Sequence, residues 1–191
     1  MPSLIDERVV PGLSRVSNLQ QHIARYNLTL KSCTGSVLDL ACGIGYGSFL
    51  MSLVANSVTG VDISKKAVDY ALTNFVKENL GFVESDILKF KNEPVDLVVS
   101  LETVEHIKDL DRLEDKFLQL LKPGGKLIYS VPLYENYDNP YHFHRFTLET
   151  GLKLFSELQL EDYVIQNGLS FTLLDNKKPF TYLIVSKIKP F

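Results

Sequence analysis

Acids and histidines stand in this chain where their types and spacing could do chemistry. Asp39 closes an apolar run and leads straight into a glycine-rich loop, VLDLACGIGYGS (residues 37–48), with Gly43, Gly45 and Gly47 at alternate positions. Asp62 closes a second run, SVTGVDIS (57–64), and Asp86 a third, GFVESDI (81–87). Glycines let a backbone turn tightly and approach a ligand closely. A loop of this kind, between a buried strand and a helix N-terminus, is where open α/β sheets hold nucleotide-like molecules. Further on, LETVEHI (101–107) carries Glu102, Glu105 and His106 at i, i+3 and i+4, one face of a helical turn. NPYHFHRFTLET (139–150) then adds His142, His144 and Arg145. Such a group offers hard oxygen and imidazole ligands for Mg²⁺, Mn²⁺ or Zn²⁺. Without an ion, His106 or His142 could serve as a general base that titrates near neutral pH.

Charge narrows the choice of nucleotide. A dinucleotide fingerprint would need small residues at positions 43, 45 and 48, and the third is Ser48 rather than Gly or Ala. The Asp39 carboxylate would repel a pyrophosphate and attract the ammonium of an amino-acid moiety. S-adenosylmethionine offers that ammonium, and a cationic sulfonium, with no phosphate. On this reading Asp62 accepts hydrogen bonds from both ribose hydroxyls, and Asp86 accepts from the adenine amino group beside apolar Ile63 and Ile87.

Acids at three successive strand ends, the glycine loop after the first, and LKPGGKLIYSVP (121–132) together resemble the class I S-adenosylmethionine-dependent methyltransferases. The resemblance runs from about Glu7 to at least Leu154, and Ala41 stands where the family usually has the first glycine of its loop. It implies a Rossmann-like α/β fold with a seven-stranded, mainly parallel sheet, an antiparallel C-terminal hairpin, and helices on both faces. It also implies cofactor contacts from Tyr26, Asp39, Ala41, Cys42, Gly43, Gly45, Asp62, Ile63, Asp86, Ile87 and Leu101, with Arg25 beside Tyr26 toward the cofactor's carboxylate. Tyr46, inside the loop, could cover the cofactor or pack into the sheet.

On the acceptor side, the resemblance implies catalytic roles for Glu102, His106 and His142. The pattern Glu-x-x-Glu-His with a later His is similar to that of the small-RNA terminal 2′-O-methyltransferases, where comparable residues hold a divalent ion. On that model Glu102, Glu105, His106 and His142 would be the ligands. Ubiquinone-pathway O-methyltransferases carry the same Glu-x-x-Glu-His. In the metal-free alternative, Glu102 lines the acceptor pocket while Glu105 and His106 cap the turn or bond neighbouring backbone. ERVVPG (7–12), HIARY (22–26), LETVEHI and NPYHFHRFT together look like a subgroup of small methyltransferases associated with glycan or cell-envelope synthesis. A sugar or small-molecule hydroxyl is therefore the expected acceptor. An RNA 2′-hydroxyl is the alternative, and a scaffold that binds cofactor or a partner without chemistry is a third reading.

The elements that must position these residues follow from periodicity. Strand-like segments at 36–40, 57–62, 82–86, 95–100 and 126–131 alternate with helix-like segments near 18–30, 45–54, 64–78, 110–121 and 147–158, which predicts right-handed βαβ units and a mainly parallel sheet. Ser64 is placed to cap the helix after the second strand, and Lys122-Pro123-Gly124-Gly125 to turn the chain into the fifth strand. Beyond Leu158, YVIQ (163–166), FTLL (171–174), the turn DNKK (175–178) and FTYLIVSKI (180–188) predict antiparallel strands. Lys177, Lys178, Lys187 and Lys189 are expected on a solvated edge. Residues 1–30 read as an arm and a helix that could close over the cofactor, within one domain spanning the 191 residues.

A net charge of −3 provides no global basic field for nucleic acid. The start MPSLIDERVV lacks a basic region followed by an apolar run, and no stretch is long enough to span a bilayer. Two cysteines, Cys33 and Cys42, without CxxC spacing, read as reduced thiols of a cytosolic protein.

Overall fold

The structure, a computed structural model, describes residues 14–135, 139–173, 175 and 181–191. The segment ERVVPG, the front of the expected arm, and Lys177 and Lys178 lie outside the described residues. The central strands are β1 (Ser36–Leu40), β2 (Ser57–Asp62), β3 (Leu80–Glu84), β4 (Val95–Ser100) and β5 (Leu121–Leu133). All pair in parallel in the spatial order β3-β2-β1-β4-β5. The helices are α1 (Val16–Thr29), α2 (Tyr46–Ser52), α3 (Lys65–Asn74), α4 (Leu110–Leu120) and α5 (Leu148–Lys153).

Strand alternation sorts side chains to two covered faces. Leu38, Leu40, Val98, Leu127, Tyr129 and Val131 pack with Leu113, Phe117 and Leu120, the apolar stripe of α4. Their neighbours Val37, Val58, Leu97, Val99 and Ile128 pack instead with Tyr26 of α1 and Met51 of α2. Ser64 caps its helix as expected, its Oγ accepting from the Ala67 N–H, and Asp109 Oδ1 caps α4 by accepting from the Arg112 N–H.

Several expectations need correction. Among the described residues the sheet has eight strands rather than seven, because Ser170–Thr172 adds a short β7 to β6 (Gln159–Asn167). The last strand, β8 (Thr181–Ile188), is inserted antiparallel between β5 and β6. It is therefore interior, and its lysines do not form a solvated edge. Lys187 is 3% exposed, and its ammonium donates to the carbonyls of Leu154 and Phe155. Lys189 donates to the carbonyls of Leu118 and Leu121, where α4 ends. Those carbonyls have no intrahelical donor, so each cation closes a chain end instead of repelling a strand partner. The helix expected over 147–158 stops at Lys153, because Phe155 takes a left-handed backbone (φ 56°) with its ring in the core. β3 ends at Glu84, leaving Asp86 in the turn that follows. Lys122–Gly125 is a bulge within β5, where the pairing slips between Val95 and Leu97 of β4. Among the described residues no helix is long and apolar enough to cross a membrane.

Candidate functional site

The carboxyl ends of β1, β2, β4 and β5 meet at one rim, the usual ligand position of an open α/β sheet. The chain there encloses a cavity of about 990 Å³. A pocket for one small molecule spans roughly 300–1,000 Å³, so a nucleoside-sized cofactor and a small acceptor fit side by side.

The glycine loop builds one wall. Gly43 faces the cavity in a left-handed turn (φ +56°), and a Cβ there would meet nothing within 4 Å. Gly45 and Gly47 serve packing instead. A Cβ on Gly45 would stand 2.7 Å from Ala71 and Phe82, and one on Gly47 would stand 2.0 Å from the Tyr26 ring. Ala41, in the usual glycine position, also has a positive φ of 61° and lines the cavity. Asp62, 3% exposed, ties the loop to the start of α3: Oδ2 accepts from the Gly43 N–H at 2.9 Å and Oδ1 from the Ser64 N–H at 2.8 Å. Ile63, Asp86, Ile87 and Leu101 line the same space, and Asp86 Oδ1 accepts from the Leu88 N–H at 2.9 Å.

Asp39, Cys42 and Gly45 do not line the cavity; they stand behind the loop. Asp39 is wholly buried, accepting from Ser48 Oγ at 2.6 Å and from the Tyr26 hydroxyl at 3.3 Å. Burial pushes its carboxyl up to about 7, with the Asp62 charge adding to the rise and the Ser48 and Tyr26 hydroxyls opposing it. Tyr26 and Tyr46 meet edge to face, and the Tyr46 hydroxyl is hydrogen-bonded with Nδ1 of His22 at 3.0 Å. Burial, aided by Arg25, lowers that histidine to about 3 and keeps it neutral. Arg25 lies over the Tyr182 ring at 4.1 Å and 3.8 Å from Glu102 Oε1. Its Nε and Nη1 are buried and have no hydrogen-bond partner among the described residues.

The acceptor end departs from the spacing argument. Only Val104–His106 forms a helical turn, of the 3₁₀ kind, and Glu102 precedes it with a φ of 53°. Glu102 turns back: Ser130 Oγ donates to its carboxylate at 2.8 Å and accepts its backbone N–H at 3.0 Å. Ligand atoms of Glu105, His106 and His142 come within 4.8 Å of one another, and Glu102 is not in that group. Glu105 is buried, with Oε2 unpaired among the described residues. Burial, reinforced by the Glu102 charge, holds its carboxyl well above the ordinary carboxylate range. His106 Nδ1 donates to the Tyr141 carbonyl at 3.0 Å, and its ring stands edge-on to His142 at 4.7 Å. His144 and Arg145 do not line the cavity; His144 Nε2 donates to the Ile107 carbonyl and anchors the loop.

Sequence reasoning missed Glu135, whose carboxylate accepts from His142 Nδ1 at 2.7 Å. Its position just beyond β5, at the ligand-facing end of a strand, was the signal available. The partners Ser130 and Tyr182 left no comparable signal, since each reaches the site from a distant part of the chain.

Residues 38–129, from β1 into β5, match the family model described as a methyltransferase domain. A Mycolicibacterium smegmatis protein named as a probable S-adenosylmethionine-dependent methyltransferase is 29% identical over 131 residues, covering 68% of this chain and 51% of the relative. A ubiquinone biosynthesis O-methyltransferase of Coxiella burnetii is 33% identical over 99 residues, covering 50% of this chain and 42% of the relative. The chain thus spans about half the length, or less, of these curated relatives. The N-methyltransferase NodS from Bradyrhizobium japonicum, in complex with S-adenosyl-L-homocysteine, superposes with a TM-score of 0.77 at 19% identity over 98% of this chain and 95% of that one. At that identity the likeness speaks for the fold. With an open glycine turn beside a strand-end acid, and this match to a methyltransferase domain laid over the same strands, residues 38–129 are similar to the S-adenosylmethionine-dependent methyltransferases.

Proposed function

We propose that this domain methylates a hydroxyl oxygen of a small molecule or sugar. The observation that carries this reading is the pair of histidines, His106 and His142, beside the buried Glu105 in a cavity with room for both donor and acceptor. Bound in the cavity, S-adenosylmethionine supplies an activated methyl on a sulfonium. The chain's own residues do the rest. Asp62 takes the ribose hydroxyls, and Asp86 the adenine amino group between Ile63 and Ile87. Gly43, Ala41 and Leu101 line the middle of the cofactor. Arg25 and Tyr26 meet its amino-acid end, and Asp39, Cys42 and Gly45 hold the loop from behind. His106 or His142 takes the acceptor's proton, with Glu102 lining the pocket, and the enclosed site orients the oxygen for in-line attack and excludes water. The O-methyltransferase name of the Coxiella relative accords with an oxygen acceptor. The two free, buried cysteines accord with a cytosolic setting.

The divalent-ion reading, and the RNA 2′-hydroxyl acceptor that depends on it, call for Glu102 among the ligands. That carboxylate is engaged by Ser130 and Arg25, so we do not adopt it.

Calorimetry with S-adenosylhomocysteine tests the assignment. Asp62→Ala removes charge-assisted hydrogen bonds and is expected to weaken binding by about 1–3 kcal/mol. Affinity equal to that of the wild type would remove Asp62 from the cofactor site. Absence of wild-type binding, with or without Mg²⁺, Mn²⁺, Zn²⁺ or EDTA, would favour a scaffold.

A further inference from the structure

At the acceptor end, His142 is paired with a carboxylate. Its Nδ1 lies 2.7 Å from Glu135 Oε2, and both side chains are enclosed, 9% and 3% exposed. Such a pairing between a nearly buried carboxylate and an imidazole is short enough for a charge-assisted hydrogen bond. The second carboxylate oxygen, Oε1, is buried with no partner among the described residues, so His142 is the group that Glu135 serves.

The backbone holds the pair in place. Glu135 lies two residues past the end of β5, after Tyr134, whose φ is 52°. The loop that carries His142 is fixed by the Phe143 N–H donating to the Glu105 carbonyl at 2.8 Å and the His142 N–H to the Asn139 carbonyl at 3.2 Å. A carboxylate both orients an imidazole ring and balances the positive charge that develops when the ring takes a proton.

Resting on the proposed reading, we infer that Glu135 is a positioning residue: it holds His142 with the proton on Nδ1, so that Nε2 is the atom that accepts the acceptor's hydroxyl proton. In that step the acceptor's O–H bond breaks as the Nε2–H bond forms. The oxygen electron pair enters the new O–CH₃ bond, the C–S pair returns to sulfur, and the imidazolium stands against the Glu135 carboxylate. The acceptor class is thus a hydroxyl that must lose its proton.

The test needs neither acceptor nor cofactor. Long-range ¹H–¹⁵N correlation spectra of the imidazole rings, assigned by the loss of signals in His142→Asn, report which nitrogen is protonated. Where the ring carries a single proton in the wild type, His142 is expected as the Nδ1–H tautomer, in excess of the alternative by about tenfold or more. Glu135→Leu removes the hydrogen-bond acceptor and abolishes that preference, whereas Glu135→Gln, whose amide oxygen still accepts, restores it. A thermal melt of each variant shows whether it is folded, and the wild-type spectrum decides the matter even if Glu135→Leu is not. An Nε2–H ring, or an Nδ1–H ring unchanged in folded Glu135→Leu, would overturn the assignment. Failure of S-adenosylhomocysteine to bind would strike the proposed function and leave the tautomer result standing.

Discussion

Asp39 supplies a prediction whose size follows from the structure. Its carboxyl is wholly buried and is raised from 3.8 to about 7. In the unfolded chain it ionises near its ordinary value, so between pH 4 and 7 the native state keeps a proton that the unfolded state has released. Native protein binds more protons over that window, and the stability from this group falls as pH rises, by about 1.4 kcal/mol per pH unit. It is fully present below pH 4 and lost above about 7, and the total approaches about 4 kcal/mol. Asp39→Asn removes the titration and keeps the shape: the amide oxygen can accept from Ser48, and the site stays polar. Urea unfolding of both proteins at intervals from pH 4 to 8, without cofactor, is the assay. Taking the difference between the two cancels the other titrating groups, and the variant should gain on the wild type by about 2–4 kcal/mol across that range, most of it below pH 7. A difference that stays flat with pH would mean that Asp39 ionises normally and that its burial behind the loop has been misjudged.

Two further perturbations test the packing around the site. Gly47→Ala adds a methyl that would stand 2.0 Å from the Tyr26 ring. The helix-propensity gain of about 1 kcal/mol is outweighed by overpacking of about 1–3 kcal/mol and by the displacement of Tyr26 from Asp39. A thermal melt should show a lower Tm, and a raised Tm would disprove the contact. Lys187→Met leaves the Leu154 carbonyl without its donor inside the fold, and chemical unfolding should show a loss of about 1–3 kcal/mol. No loss would return Lys187 to the solvated role that its sequence suggests.

Much of the fold was legible because it is written in local patterns. Apolar runs ending on Asp39 and Asp62, and a helix capped by Ser64, can be read in windows of a few residues. The same locality made one end of the cavity legible: a glycine turn and strand-end acids lie within short segments, and a parallel sheet gathers strand ends to one rim. Gly43, Asp62, Ile63, Asp86, Ile87 and Leu101 all line the cavity.

What only the tertiary structure decided involves partners far apart in the chain or a single backbone angle. Glu102 shares the spacing of Glu105 and His106, yet its positive φ sends its carboxylate to Ser130 of β5. Lys187 reads as a surface residue until β8 is inserted between β5 and β6, which buries it against carbonyls beyond α5. Asp39 reads as a ligand contact until Ser48 and Tyr26 enclose it. Glu135 acquires a role only where the loop after β5 folds His142 back onto it. Periodicity reports which face of an element is apolar; which charged groups meet on that face depends on how the elements close on one another, and no local window contains that information.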